Sequence, residues 1–264
     1  MSSQPIRFDN GAAYERYMGL WSQSVGERFL DWLAPHQRLG WLDVGCGNGA
    51  FTELLASRCA PSAIEGIDPS EAQLAFARDR PVGRRARFSA GDAMALPFPA
   101  DAFDVAVMPL VIFFVPEPAR GVAEMVRVVR AGGSVAAYAW DMEGGGFPYE
   151  VLHAEIRALG IETPAPPSPW ASALPALRKL WTDAGLADVA TTTIDVQRSF
   201  TDFDDFWTTV RGAPSAGATL ARLTPAQVAA LVEGVRGRLQ IAASGQITCT
   251  ARANAVKGRV TGRQ

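Results

Sequence analysis

The stretch WLDVGCGNGAF, Trp41 to Phe51, sets glycine at 45, 47 and 49 directly behind a short apolar run that ends in Asp43 and Val44. Glycine enters left-handed backbone without a steric penalty, and its missing side chain lets the main chain come close to a ligand. A strand, a glycine-rich turn and a helix in succession also aim helix N-terminal amides at polar or anionic groups. The stretch therefore predicts an α/β fold with a nucleotide-cofactor site at the end of its first strand. Gly45, Gly47 and Ala50 satisfy the spacing of the dinucleotide fingerprint as well. The glycines alone thus leave a nicotinamide-dependent oxidoreductase open.

The flanking sequence alternates strand and helix. LGWLDVG, SAIEGID, ARFSAGD, FDVAVMPLVIF and SVAAYAW read as strands, and NGAFTELLASRC, SEAQLAFARDR and PARGVAEMVRVVR as the helices between them, with a turn at AGG before the fifth strand. Such repetition implies a parallel sheet covered by helices on both faces. Before it, residues 12 to 34 place Tyr14, Tyr17, Trp21, Val25, Phe29, Trp32 and Leu33 at helical spacing. After Asp141 the rhythm breaks into a glycine-rich loop, a helix at VLHAEIRALG and a proline-rich loop at ETPAPPSPW, which reads as an insertion. SALPALRKLWTDAG then resumes as a helix and ADVATTTIDVQ as a strand. Helices follow at TDFDDFWTTVRG and TPAQVAALVEGVRGRLQ, and QITCTARANAVKG is the final strand. The expectation is one domain over 1–264: a helical cover at 1–36, a cofactor half at 37–140, an insertion at 141–180 and a C-terminal half at 181–264.

Three acids refine the glycine signal. Asp43 stands two residues before Gly45, where it either fixes the loop by bonding backbone amides or takes a ligand's ammonium group. Asp68 closes the second strand about 20 residues on, where a carboxylate can accept both hydroxyls of a ribose. Asp92 closes the third strand and can accept a hydrogen bond from an adenine amino group. Together they describe a ligand with an ammonium at one end, a ribose in the middle and adenine at the other. A dinucleotide leaves Asp43 and Asp92 unexplained.

With these residues in view, the chain resembles the class I S-adenosylmethionine-dependent methyltransferases, and among them the small-molecule enzymes of ubiquinone and menaquinone biosynthesis. The matching stretches are LDVGCGNGAFTELLA, GIDPSEAQLAFAR, GDAMALPFPADAFDVAV and EMVRVVRAGG, in the family's order over roughly residues 40 to 140. The resemblance implies a Rossmann-like, doubly wound, seven-stranded and mostly parallel sheet, its last strand antiparallel and lying between the two before it. It implies S-adenosyl-L-methionine as cofactor. Gly45, Gly47 and Gly49 would line its methionine and ribose portion, Asp68 with Pro69 the ribose, Asp92 with Ala93 and Met94 the adenine, and Met108 to Leu110 the region beside the methyl group. It further implies an N-terminal helical lid that brings Tyr17 to the cofactor. AGG stands where the family usually has a proline before the glycines, and PLVIFFVPEP carries phenylalanines where many members place a histidine or another polar group.

The acceptor has to be read outside that half. Tyr14, Trp21, Phe113, Trp140, Phe147 and Tyr149 are expected to shape an apolar acceptor pocket, with Trp170 nearby. His153 is one of two histidines, the other being His36. It is either an ordinary helix residue or the group that takes a proton from a hydroxyl or amine nucleophile, for which an imidazole is suited. Asp141 and Tyr138 are the other candidates for a base. In-line methyl transfer needs a base only where the nucleophile must lose a proton, so the absence of a dedicated one is compatible with activity. A net charge of −2 and one basic run, ARDRPVGRRAR, without interleaved aromatics argue against nucleic acid. Cys46, Cys59 and Cys249 are odd in number and scattered, which predicts neither a disulfide framework nor a metal site and suits the cytoplasm. No basic-then-apolar leader and no apolar run of membrane length is expected. The chain is read as a monomer or homodimer that takes a small-molecule methyl acceptor. A protein that binds the cofactor without catalysis remains the competing reading.

Overall fold

The computed structural model describes residues 15–211 and 219–262. Seven strands form one sheet: β1 (Gly40–Val44), β2 (Ala63–Asp68), β3 (Arg87–Ala90), β4 (Phe103–Pro109), β5 (Val129–Trp140), β6 (Ala187–Phe200) and β7 (Ile247–Arg259). Their spatial order is β3-β2-β1-β4-β5-β7-β6. Every pairing from β3 to β5 is parallel, and β7 runs antiparallel between β5 and β6. That is the topology the resemblance implies. Strand order reverses between β1 and β4, so the carboxyl ends of these two strands flank the crevice where open α/β sheets take ligands.

The strands are buried because they carry apolar residues on both faces, as parallel strands under helices must. Trp41, Leu42 and Val44 of β1 and Ala106, Val107 and Met108 of β4 are all inaccessible. Between the strands lie α1 (Leu20–Leu33), α2 (Ala50–Arg58), α3 (Glu71–Asp79) and α4 (Pro118–Val128), then α5 (Glu150–Ala158), α6 (Leu174–Asp183), α7 (Phe203–Arg211) and α8 (Pro225–Arg238). Their ends follow local chemistry. Ser70 caps α3 by accepting from the Gln73 amide, and Thr224 with Gln227 forms a reciprocal capping box at α8.

Three expectations change in detail. The AGG segment is not a turn before β5 but an irregularity inside it: pairing with β4 jumps from Phe103↔Val129 to Val105↔Ser134, and Gly132 takes a left-handed φ of 80°. The backbone hydrogen bonds Gly132 N to Val260 O and Val260 N to Gly133 O hold this bulge against the chain beyond β7, so the strand tolerates it. The fourth strand stops at Pro109, and Ile112–Phe114 turns as a short 3-10 helix. The N-terminal helix opens with a π-helical turn, Glu15–Gly19, before α1.

α1 is a layer of the core rather than a surface element. Trp21, Val25, Phe29 and Leu30 face inward, and Phe29 meets Tyr138 of β5 at 4.6 Å between ring centroids. Its C-terminal carbonyls are closed by Lys257 of β7, whose Nζ donates to Trp32 O at 2.9 Å and to Leu33 O at 3.4 Å while lying 4.5 Å above the Trp32 ring. A cation at this end also opposes the helix dipole.

The elements beyond β5 also pack differently from a single insertion. α8, which precedes β7, lies on α5, with the Cα of Gly234 against the Glu155 carboxylate and an Arg238–Glu155 ion pair. Residues after β5 and residues after β6 therefore build one helical cap together. Tyr14 lies outside the described residues.

Replacing Lys257 by Met should lower stability by about 1–2 kcal/mol, the value of a charge-assisted hydrogen bond at a helix end. Urea unfolding of the two proteins measures it, and equal midpoints would show that the N-terminal helix is held without this clamp.

Candidate active site

The loop from Gly45 to Gly49 is built by its glycines and by the end of β2. Gly45, Gly47 and Gly49 have φ of 75°, 52° and 79°, all in the left-handed region where a side chain is strained. The amides of Gly45 and Cys46 both donate to Ile67 O, at 2.8 and 2.9 Å, and Gly47 N donates to Asp68 Oδ2 at 3.0 Å. The other Asp68 oxygen accepts from Ser70 N at 2.8 Å, which turns the chain into α3. Two of the glycines are packed and one is open. A Cβ at Gly45 would lie 2.5 Å from Val111 Cγ2, and one at Gly49 would lie 3.0 Å from Ala77 Cβ. A Cβ at Gly47 meets no atom within 4 Å. Gly47 thus presents bare backbone to open space beside the carboxylate of Asp68.

Asp43 lies beneath the loop. It is fully buried, its Oδ2 accepts from Thr52 Oγ1 of α2 at 2.6 Å, and its Oδ1 has no hydrogen-bond partner. Burial pushes its carboxyl up to about 7, against the pull of the Thr52 bond, and the nearby Asp68 adds to the rise. Asp68, also pushed up by burial, is held down by the Ser70 and Gly47 amides. Cys46 sits between these two acids, and burial with their charges keeps it a thiol.

Asp92 follows β3 and is exposed. Its Oδ1 accepts from Met94 N at 2.8 Å, which folds Ala93 and Met94 into a small turn. That turn is held from behind by two residues not assigned a role above. Glu124 of α4 accepts from Leu96 N at 2.8 Å, and Arg127 donates to Leu96 O, Phe98 O and Glu124. Arg127 holds the Glu124 carboxyl below the usual carboxylate range. The stretch EMVRVVRAGG therefore belongs to the site as the support of the Asp92 loop.

At the end of β4, Met108 is buried and Leu110 is half-buried with φ 59°, its amide donating to Tyr138 O at 2.7 Å. A leucine in the left-handed region is strained, and such residues gather at functional sites. The next residue, Val111, is the one that covers Gly45. Pro69 is exposed at the start of the α3 turn.

The expected acceptor residues are mostly buried. Tyr17, Trp21, Phe113, Trp140 and Tyr149 are all buried, and Phe147 is half-buried. Tyr17 stacks on Tyr149 at 4.4 Å, and Phe147 lies 6.4 Å from Tyr149 and 5.1 Å from the His153 ring. Trp21, Trp140 and Tyr149 pack in the interior rather than along open space. Burial pushes the His153 imidazole below its ordinary value, so it is neutral near pH 7. A cavity separates the N-terminal helix from the glycine-loop helix, with Gly19, Ser22 and Gln23 on one side and Ala50, Glu53 and Arg80 on the other.

Comparison with known proteins agrees with this layout. A family model described as a methyltransferase domain matches residues 42–137, the segment that holds the glycines, all three acids and β4. Over residues 42–137 the chain thus resembles a methyltransferase domain. Over 116 residues it is 35% identical to 2-methyl-6-phytyl-1,4-hydroquinone methyltransferase 2 of Oryza sativa, covering 44% of this chain and 33% of that protein. Over 95 residues it is 37% identical to demethylmenaquinone methyltransferase of Roseiflexus castenholzii, covering 36% of this chain and 40% of the relative. The chain spans less than half of the length of the curated relatives it matches. Among solved structures, phosphoethanolamine N-methyltransferase 2 of Haemonchus contortus in complex with S-adenosyl-L-methionine shares the fold with TM-score 0.59 at 19% identity, covering 95% of this chain and 56% of that one. The [4+2]-cyclase SpnF does so with TM-score 0.53 at 22% identity, covering 99% and 88%.

Asp43 gives the fold a distinct pH signature. Its carboxyl holds a proton more tightly in the folded chain than in the unfolded one. This stabilises the fold fully below about pH 4, and the advantage is lost as pH rises through about 7. Asp43→Asn has no such titration. Measured by urea unfolding without ligand, the stability of the variant relative to the parent should improve between about pH 4 and pH 7, on the order of 1.4 kcal/mol per unit, and level off above. A pH-independent difference would mean that Asp43 is ionised throughout.

Proposed function

We propose that the chain is an enzyme that transfers a methyl group from S-adenosyl-L-methionine to a small-molecule acceptor. The observation that carries this reading is the open backbone of Gly47 with Asp68 beside it, between the buried Asp43 and the exposed Asp92 turn. The three acids stand at the carboxyl ends of β1, β2 and β3 in order, which suits a ligand with an ammonium, a ribose and an adenine in that order. An orphaned carboxylate oxygen at Asp43 fits an ammonium, met directly or through a water. A dinucleotide would instead set a pyrophosphate against this loop, whose negative charge gives a carboxylate no cation to pair with.

When bound, the cofactor supplies a sulfonium-activated methyl group, which needs no covalent help from the protein. The chain's residues then have to bind, orient and exclude water. Gly45, Gly47 and Gly49 allow close approach of the backbone, Asp68 with Pro69 takes the ribose, and Asp92 with Ala93 and Met94 takes the adenine. Met108, Leu110 and Tyr17 border the reacting end. Positioning of two reactants accounts for about 7–11 kcal/mol of a barrier when the geometry is good. For an acceptor with a hydroxyl or amine, the neutral His153 is the residue able to take the proton. Phe147 and Phe113, backed by the buried Tyr149, Trp21 and Trp140, give that side an apolar character, which suits a neutral, partly apolar metabolite. We place the protein in the cytoplasm because its three cysteines are free and buried. We read it as a monomer or homodimer without a nucleic-acid partner, in keeping with a net charge of −2. Among the described residues no helix is long and apolar enough to cross a membrane.

The same fold carries a cyclase, so fold alone does not fix methyl transfer. Methyl-labelled S-adenosyl-L-methionine incubated with the protein and a pool of small metabolites tests the reading. Label should move to a small molecule with the parent protein. It should be lost with Gly47→Ala, which costs only the about 1–2 kcal/mol of left-handed strain and remains folded. Gly45→Ala, which drives a methyl into Val111, should instead lose stability by a further 1–3 kcal/mol, roughly the cost of overpacking. Binding of the cofactor with no label transferred to any acceptor would leave a binding protein without catalysis.

A further inference from the structure

One buried hydroxyl joins three distant parts of the chain. Tyr149 Oη donates to Tyr17 O at 2.7 Å, and it accepts from Trp21 Nε1 at 3.0 Å and from Arg198 Nη1 at 3.1 Å. A tyrosine hydroxyl has one proton to give and two lone pairs to receive, so this one is fully used. Arg198 also donates to Tyr17 O at 3.3 Å and lies 4.6 Å from the centre of the Phe200 ring. The rings repeat the connection: Tyr149 stacks on Tyr17 at 4.4 Å and meets Trp21 edge-on at 6.2 Å.

The two sides of this node differ in how they are held. On the Tyr149 side the backbone is pinned. Gly146 N donates to Asp141 O, while Asp141 N and Arg252 O, and Arg252 N and Gly146 O, tie the loop to β7. Arg198 is fixed within β6, opposite Cys249 of β7. On the other side Tyr17 sits in the π-helical turn Glu15–Gly19, a geometry that occurs mostly as single turns at functional sites. That turn leads directly into Gly19, Ser22 and Gln23, which form one wall of the cavity facing the glycine-loop helix. Burial pushes the Tyr149 hydroxyl up to about 12, so it keeps the proton it donates.

We propose that Tyr149 is a positioning residue: its hydroxyl latches the Tyr17–Trp21 segment to the cap and to β6, and thereby fixes the wall that closes the cofactor side of the site. The consequence for cofactor rests on the methyltransferase reading; the latch itself does not. Without the hydroxyl, Tyr17 O and Trp21 Nε1 lose a buried partner while the stacked rings stay in place. The segment then opens locally without the sheet unfolding, and a bound cofactor escapes faster.

The test compares the parent protein with Tyr149→Phe by amide hydrogen exchange without ligand and by stopped-flow dissociation of S-adenosylhomocysteine. Exchange over residues 15–22 should quicken at least about tenfold, the effect on local opening of losing the buried hydrogen bonds at Tyr17 O and Trp21 Nε1, while β1 and β4 exchange as in the parent. Dissociation of S-adenosylhomocysteine should also quicken about tenfold, with association changed far less. Trp21→Phe, which removes one donor and leaves the Tyr149 hydroxyl, should show the same pattern at smaller amplitude. Unchanged exchange over 15–22, or a rise shared equally with β1 and β4, overturns the latch. Fast local exchange with unchanged dissociation overturns its role at the site. If the parent protein does not bind S-adenosylhomocysteine, the methyltransferase reading falls, and the exchange comparison still decides the latch.

Discussion

The site depends on the hydrogen bonds by which three successive amides, those of Gly45, Cys46 and Gly47, are received by the last two residues of β2. They continue the β1–β2 pairing past the end of both strands and force the chain through three left-handed turns, which only glycine accepts without strain. The bend sends α2 back over the sheet, and Thr52 on its first turn returns to bind Asp43. Asp68 therefore has two tasks, since it fixes the loop through Gly47 N and stands beside the one glycine of the loop with open space in front of it. An account in which Asp68 only holds a ligand would miss its place in the fold.

Much of this was legible in the chain because it is local. Glycines at alternate positions after an apolar run, and acids closing successive strands, lie within a few residues of the structures they build. The sheet order, with β7 between β5 and β6, came through the resemblance and not from periodicity, because nothing in QITCTARANAVKG states which strands it separates. The AGG segment was misjudged for a physical reason. Two glycines usually break a strand, but here the backbone of Gly132 and Gly133 pairs with Val260 and the strand carries on.

What was hidden is long-range. Glu124 and Arg127 look like an ordinary helix surface pair at i and i+3, and only the fold places them behind Leu96 and Phe98. Tyr17, Trp21 and Tyr149 stand out in the sequence only as aromatics, whereas the fold buries them together as the joint between the N-terminal segment and the cap. The cap itself comes from two separated parts of the chain, after β5 and after β6, which meet at Gly234 and Glu155. Its helices carry patterns that any soluble helix shares, so the sequence holds no mark of their pairing.

The proposed function implies a division of labour in which residues 42–137 would bind the cofactor and the cap, with α1, would take the acceptor. Titration calorimetry with S-adenosylhomocysteine and, separately, with nicotinamide adenine dinucleotide tests that division at its root. The account predicts micromolar binding of the first and none of the second. Binding of the dinucleotide alone would contradict it, because the open face of Gly47 would then receive a pyrophosphate and the orphaned oxygen of Asp43 would meet no ammonium group.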